Sequence, residues 1–478
     1  MKINKILAVS LIGALYFTPI SCSDYLDTEP MEATLATAQK PIESPQAAEN
    51  LMNSIYNSFG NEYWQLDYFF NGDAQTDISY AGADNVQNFQ LDEYRILATN
   101  SNVNRDWVYL LNFIDLSNRI LNYVDDVDGL ADARKKEMKA EAAIFRGMYL
   151  FHMTQFWGDA PIVTKSVISV NSQNFEEVYN QVFPSRKPVE EVYAQIISDL
   201  EGAIDHAPNS SLKYRANKGA AYALLAKVYA TKPNPDWAKV KQYCDLVSSQ
   251  NYTLLSSYEE LFDGNHEGNA ESIFEANGNA GGIWAWGSSM FFGTDWKKFN
   301  IPSNELVKSF TDANDTQRLA SSVKFASVNW ADTYWPSSNY PFMYKMRKTD
   351  GHQNFYIVRY ADILLLKAEA ETQLGNFAAA STLVNQVRER VGLSPVTITS
   401  TNGINQILEE RKLELAFEGH RWFDLKRTGK AISILSQQRD GNGTILPYAS
   451  DINEDRLLWP VPQAQIDKNQ NLTQNTGY

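Results

Sequence analysis

Apolar residues return every third or fourth position along most of this chain, and the places where that rhythm stops divide it. Ser44-Pro45 opens the first run, with Ser suited to an N-cap and Pro to the first turn. Leu51, Met52, Ile55, Tyr56 and Phe59 then recur at helical spacing. Residues 60–104 lose the period, carry Gly60, Gly72 and Gly82 among many Asn and Asp, and read as a long loop region. From Arg105 the period returns through Trp107, Leu110, Leu111, Ile114, Leu116 and Ile120. A second helix runs from Ala131 to Trp157 and stops at Gly158-Asp159-Ala160-Pro161. Pro188 opens a third through Val192, Ile196, Ile197, Leu200 and Ile204. The Ala- and Leu-rich stretch Lys218–Thr231 pairs with Trp237–Ser248 across Lys232-Pro233-Asn234-Pro235.

Small residues mark where these helices approach one another. Ala220, Ala221, Ala223 and Ala226 leave one helix narrow, and the same style returns in Ala361–Leu374, Gly375-Asn376 and Phe377–Val391. In that second hairpin Ala368, Ala370, Gly375, Phe377 and Ala379 sit at spacings resembling a tetratricopeptide unit. Helix pairs at about 105–157, 188–230, 236–249 and 356–391 predict an all-α, tetratricopeptide-like solenoid scaffold. The expected divisions are a helical part at 44–254, a large irregular, loop-rich insertion at 255–355, and a C-terminal helix pair with an irregular tail at 356–478. The insertion carries seven glycines between Gly264 and Gly293, together with Trp284, Trp286, Trp296, Trp330 and Trp335. A hundred mostly irregular residues inside a helical protein point to function.

The N-terminus changes the picture of where the chain works. Lys2 and Lys5 precede an apolar run, Ile6–Phe17, too short to span a bilayer and suited to a signal-peptide core. Ser21 then precedes Cys22. The arrangement resembles a bacterial lipoprotein signal, with Pro19 where Leu is usual, so residues 1–21 read as the signal peptide. Cys22 is the expected lipidation site, and 22–43 a lipidated tether. An ordinary secretory signal with a cysteine near its cleavage site is the alternative. The formal net charge is −15, and no dense Lys/Arg patch offsets it. Nucleic acid and anionic headgroups are therefore excluded as main partners, leaving lipid as the only membrane attachment. Cys244 is the one other cysteine, so no internal disulfide framework forms, and its place in a helical pattern reads as a buried small hydrophobe.

Candidate chemistry is thin. His152, His206, His266, His352 and His420 are scattered without metal-ligand spacing. No nucleophile elbow or Walker-type loop is present. Asp440-Gly441-Asn442-Gly443-Thr444 resembles a calcium loop but lacks its sixth-position Gly, and a turn explains it better. No catalytic residue, metal site or cofactor is assigned. Asp73 and Asp77 are the best acidic candidates for ligand contact.

Several motifs together carry a family resemblance. They are Arg359-Tyr360-Ala361-Asp362-Ile363-Leu364-Leu365-Leu366-Lys367-Ala368-Glu369-Ala370, Asn385-Gln386-Val387-Arg388, and the run from Glu409 to Arg427 with Glu418-Gly419-His420-Arg421-Trp422-Phe423-Asp424 at its heart. Leu458-Trp459-Pro460-Val461-Pro462, the ending Gln474–Tyr478, Cys22–Asp27 and Phe156–Ile162 join them. The chain resembles the RagB/SusD family of outer-membrane nutrient-binding lipoproteins, with Ala464-Gln465 where a Glu is common and Thr476 where Pro is usual.

That resemblance implies a lipid-anchored protein on the extracellular face of a Bacteroidetes-type outer membrane. It implies capture of oligosaccharides, without catalysis, and their delivery to a TonB-dependent, SusC-like transporter. It also favours core roles for Trp107, Trp157, Trp422 and Trp459 and a locking role for Arg421, Asp424 and Arg427 at a helix end. Trp237, beside a proline turn, reads as packing too. Tryptophans in loop-like sequence lie where such ligand sites are built. Trp64, Trp284, Trp286, Trp296, Trp330 and Trp335 are therefore the expected glycan contacts, with Asp73, Asp77 and Tyr80 beside them. An indole covers the flat C–H face of a sugar while polar neighbours hold its hydroxyls. If extended, Trp284-Ala285-Trp286 puts both indoles on one side. The alternative is a scaffold whose helical groove binds a peptide or protein and no sugar.

Overall fold

Side-chain caps set where the helices begin. Ser44 Oγ accepts the Ala47 amide at 3.2 Å ahead of helix Pro45–Tyr56. The Asn100 side chain accepts the amides of Asn102 and Val103 at the head of Ser101–Tyr123, and Asn217 and Asp236 do the same for Lys218–Thr231 and Trp237–Ser248. Gly158, at φ +72°, ends the 26-residue helix Asp132–Trp157 in a conformation that an L side chain rarely adopts. The computed structural model describes residues 41–278, 286–330 and 332–478, and Ile42–Tyr478 form one unit. The predicted signal peptide, Cys22 and all but the end of the tether lie outside the described residues, as does Trp284.

Each long helix packs on the next. Ser101–Tyr123 lies against Asp132–Trp157, then follow Val189–Ala203, Lys218–Thr231, Trp237–Ser248, Tyr360–Gln373 and Phe377–Arg390. The protein is thus mainly α-helical, a tetratricopeptide-like stack, as the periodicity predicts. Ala220, Ala221, Ala223 and Ala226 are all fully buried, which is where small side chains let neighbours close in. Cys244 is buried beside them. Trp107, Trp157, Trp422 and Trp459 are core residues as expected. Trp107 meets Trp157 edge-on at 5.1 Å, and Trp459 stacks on Phe156 at 4.2 Å. No helix among the described residues is long and apolar enough to cross a membrane.

The stretch 60–104 is not the long loop its sequence suggests. A π-helical turn, Tyr63–Asp67, runs into helix Tyr68–Asp73, followed by strand Ser79–Ala81 and helix Val86–Asp92. Every residue from Tyr63 to Ala81 is buried. A segment buried on all sides has no amphipathic period, and its polar residues pair internally instead. Asn71 donates to Asp106 at 2.8 Å, and Gln65 donates to the Phe59 carbonyl. Gly72 lies directly against the Gly419 backbone, where a Cβ would meet the Gly419 carbonyl oxygen at 2.3 Å.

The 255–355 region is also more regular than expected. It holds helices Asn304–Asp312 and Thr316–Ser322, and its strands close three two-stranded antiparallel sheets. Ser272–Ala276 pairs with Phe355–Arg359 and so brings the two ends of the region together. Asn300–Pro302 pairs with Ser79–Ala81, and Val323–Ala326 with Tyr340–Met343. These helices are too short to show a period against so many turn residues.

Buried ion pairs tie this region to the C-terminal helices. Arg359, 1% exposed, reaches Glu271 at 2.8 Å, Glu414 at 2.6 Å and Glu418 at 2.6 Å. Arg390 joins Glu271 and Glu414, and Lys345 joins Glu418. Fully buried Arg318 contacts Asp315, Glu410 and Glu414. Burial alone pushes the Glu414 carboxyl up, but Arg390, Arg359 and Arg318 together outweigh it and hold the group below its ordinary value.

Candidate functional site

Aromatic residues converge at one hairpin. Strands Val323–Ala326 and Tyr340–Met343 pair in register, Ala326 facing Tyr340, and the loop between them carries Trp330, Asp332, Tyr334 and Trp335. Asp332 Oδ1 accepts the backbone amides of Tyr334 and Trp335, both at 2.9 Å, an Asx-type turn that fixes the loop tip. Its Oδ2 accepts the Tyr80 hydroxyl at 2.5 Å and the Tyr340 hydroxyl at 2.8 Å. Strand 79–81 is thereby pinned to the hairpin. One carboxylate thus organises four hydrogen bonds. Burial, then Tyr340 and Asp332, pushes the Tyr80 hydroxyl well above its ordinary pKa, so it stays a neutral donor.

Trp330, Tyr334 and Trp335 remain half-buried, while Tyr80 and Tyr340 form their floor. Tyr80 and Tyr334 meet edge-on at 4.7 Å, Trp330 and Tyr340 at 6.0 Å, and Phe325 and Trp335 at 5.7 Å. Trp335 Nε1 donates to the Pro302 carbonyl at 3.0 Å, which locks its ring. A narrow cleft opens beside Tyr80 and Tyr334 and is lined by Ser303, Glu305, Gln438 and Arg439, with Asp77 at its wall. Burial and the nearby Asp77 push the Glu305 carboxyl up to about 7. The patch offers half-exposed ring faces beside directional polar groups.

The structure therefore brings together three of the sequence-predicted residues, Tyr80, Trp330 and Trp335. Asp332, Tyr334 and Tyr340 were missed, although an Asp in turn-rich sequence is itself an Asx-turn signal.

The other predicted residues are elsewhere or differently engaged. Trp64 is fully buried between Tyr68, at 4.8 Å, and His152, at 5.2 Å, so as placed it offers no face to an external ligand. Its environment is core because the whole 63–81 segment is core. Trp286 packs on the main core and donates from Nε1 to the Gly60 carbonyl at 3.3 Å. Trp296 lies under the Lys298 ammonium, 4.0 Å from the ring centre, and is not one of the residues of the hairpin cluster. Asp77 is engaged from both oxygens by Arg421, each at 2.8 Å. Arg411 and Arg427 both reach Asp424, so the locking role expected of Arg421, Asp424 and Arg427 is what the ion pairs display.

Asp73 is fully buried, its Oδ2 accepting the Gly419 amide at 3.0 Å and its Oδ1 lacking a partner. Burial pushes its carboxyl up to about 8, against the pull of the Gly419 and Arg421 amides and of Lys345. A carboxyl with a raised folded pKa is protonated in the fold while the unfolded chain has lost that proton. Its contribution to stability therefore falls as pH rises from about 4 to 8, on the order of 1 kcal/mol per pH unit. Asp73→Asn keeps the acceptor for Gly419. It should flatten the slope of unfolding free energy between pH 5 and 8, read by urea titration at each pH. An unchanged slope would show that Asp73 is ionised in the fold.

Two further polar features are structural. His152 and His420 line an internal cavity of about 40 Å³ with Lys227, Asp362 and Arg427, room for little more than water. Burial first, then Lys227, holds His152 near 3 and His420 near 4, so both are neutral. Asp440 accepts the amides of Asn442 and Thr444, and Gly443 turns at φ +80°. That is a closed hairpin turn. No cluster of three or more metal-ligating side chains occurs among the described residues.

A stack of tetratricopeptide-like helices that carries, on one inserted hairpin, an aromatic patch held by a single carboxylate defines a class of helical binding scaffold. The sequence pattern of the SusD family matches residues 233–478, more than half of the chain, and this protein belongs to that family. A second pattern, described as starch-binding associating with outer membrane, matches residues 24–230. SusD-like protein P25 of Formosa agariphila is 26% identical over the whole of both chains. The starch-binding protein SusD of Bacteroides thetaiotaomicron is 23% identical, with 78% of each chain covered. Among solved structures, a laminarin binding SusD-like protein superposes with a TM-score of 0.73 at 24% identity, covering 91% of this chain and all of that one.

Proposed function

We propose that this chain is a glycan-binding lipoprotein without catalytic activity. It is held by lipid on Cys22 to the outer face of an outer membrane, captures oligosaccharides and passes them to a TonB-dependent, SusC-like transporter. The observation that carries the reading is the hairpin patch, where Trp330, Tyr334 and Trp335 keep half-exposed rings while Asp332 fixes them. Preformed ring faces meet sugar C–H faces without a large ordering cost, and hydroxyls find the polar groups of the neighbouring cleft. Family membership and the sugar-binding names of relatives support this class of ligand. The signal-like start of the sequence and the outer-membrane wording of the second pattern support the location.

Each stacked ring contributes on the order of 1 kcal/mol, so one indole lost should cost about tenfold or less. A glycan array on the full chain in detergent, repeated with Trp330→Ala, Trp335→Ala and the double substitution, tests this. Expected are selective oligosaccharide binding, a several-fold loss in each single variant, and a larger loss in the pair. Sugar binding untouched by the pair would remove the patch as the site. A blank array on the unaltered chain would turn the reading towards a peptide ligand in the helical groove.

A further inference from the structure

A second surface recess lies on the helical side, built from residues that the hairpin patch does not share. It measures about 470 Å³ and is framed by helices Trp237–Ser248, Tyr360–Gln373, Gly403–Leu415 and Arg421–Arg427. Trp237 forms one wall. The indole packs partly on the core, as its place beside a proline turn predicts, but it remains half-buried, and its N–H has no partner among the described residues. Glu369 and Arg427 form the floor, joined at 2.6 Å. Asp424 takes the remaining guanidinium edge of Arg427 at 2.8 Å. Exposed Gln373 and Asn405 bring side-chain amides to the rim that make no hydrogen bond within the described residues.

The carboxylate of Glu369 is the telling group. Its side chain is 1% exposed, one oxygen is spent on Arg427, and Oε2 is buried with no donor. A buried carboxylate oxygen left open costs free energy unless a donor from outside the protein completes it. A water can do this, and a ligand hydroxyl can replace the water at little loss. A hydroxyl donor, an indole wall and free amides at the rim together fit a neutral sugar. A peptide would need apolar pockets for its side chains, and this recess is mainly polar, with Trp237, Pro235 and Ile404 its apolar residues. An anionic sugar would meet Glu369 unfavourably, with Arg427 already engaged by Glu369 and Asp424 and Lys430 the cation left in the lining to offset it.

We propose that this recess is a second, independent glycan subsite, sized for one or two sugar units, in which Glu369 Oε2 accepts a ligand hydroxyl and Trp237 covers a sugar face. The chain then engages a long glycan at two separated points, and the linked contacts hold it more tightly than either alone.

The test uses the full chain in detergent against an array of neutral three- to six-unit oligomers of glucose, xylose, mannose and galactose, with longer polysaccharides beside them. Trp330→Ala/Trp335→Ala silences the hairpin patch. Asn405→Trp fills the recess from its exposed rim without touching a buried side chain, and Trp237→Ala removes the wall. The hairpin double variant should keep binding to at least one oligomer class, and adding Asn405→Trp or Trp237→Ala should lower that binding at least tenfold. In the otherwise unaltered chain, Asn405→Trp should weaken long polysaccharides several-fold more than short oligomers. Residual binding that Asn405→Trp leaves within twofold would overturn the proposal, as would a natively folded hairpin variant that binds nothing. Loss of peptide binding but not sugar binding on Asn405→Trp would assign the recess to a peptide and overturn it too. Sugar binding indifferent to the hairpin variant but lost on Asn405→Trp would support this subsite and sink the hairpin reading alone.

Discussion

Arg359→Ala should lower the unfolding free energy by about 3–5 kcal/mol, the largest single-residue stability effect expected in this molecule. The guanidinium is 1% exposed and engages Glu271, Glu414 and Glu418 through charge-assisted hydrogen bonds, with a further bond to the Glu414 carbonyl at 2.8 Å. Removing it leaves three carboxylates out of water with only part of their compensation. Arg390, Arg318 and Lys345 stay and keep their own bonds to Glu271, Glu414 and Glu418, but they do not replace the bonds that Arg359 made. Arg359→Lys should fall between the two, because one ammonium does not reproduce a planar fork spanning several acceptors. The contrast is Arg95, whose solvent-exposed pair with Asp451 should contribute little to stability.

The sign with pH follows from the same pairs. Burial opposes the ionised forms of Glu414 and Glu418, and the surrounding cations outweigh it, so both sit below their ordinary values. Groups with depressed folded pKa values contribute fully above about pH 4.5 and lose that contribution as acid protonates them in the fold. Urea unfolding followed by tryptophan fluorescence reads both effects. A loss under 1 kcal/mol for Arg359→Ala at pH 7 would mean that water enters the network and screens it.

The helix stack was legible in sequence because helices such as Ser101–Tyr123, Val189–Ala203 and Trp237–Ser248 have one face in the core and one in water, while the buried Lys218–Thr231 and Tyr360–Gln373 are rich in Ala and Leu. Small residues such as Ala220 and Ala368 then marked the contacts. Segment 63–81 failed for the converse reason. It is buried all round, so Trp64 and Asp73 looked like loop residues while lying in the core. At the hairpin, Tyr80, Trp330 and Trp335 could be chosen because aromatic residues in turn-rich sequence are unusual. What joins them is Asp332, which lies 252 residues from Tyr80, and no local pattern reports a contact at that separation. The same holds for Arg359 and its partners 55 to 88 residues away. Charge pairs within the Glu409–Arg427 motif could be anticipated because Asp424 and Arg427 stand one helical turn apart.

Asp332→Ala should weaken oligosaccharide binding at least tenfold while leaving global stability nearly unchanged. The carboxylate takes the Tyr334 and Trp335 amides, which shape the loop tip, and the Tyr80 and Tyr340 hydroxyls, which set the floor beneath it. Its loss frees the loop between paired strands to sample many shapes. Binding must then bear the cost of ordering it, on top of any lost contact. The strands themselves keep their ladder, and Val328 still pairs with Ser337 at 2.9 Å, so the change stays local. Asp332→Asn retains one acceptor oxygen for the two amides and should lie in between. Tyr80→Phe deletes a single hydroxyl and should cost the least. Calorimetric titration of an array-selected oligosaccharide gives the affinities, and amide exchange over 328–340 gives the loop's order. A binding loss in Asp332→Ala without faster exchange would mean that the carboxylate touches the sugar directly. Unchanged affinity with faster exchange would mean that a preformed patch is not what holds the ligand.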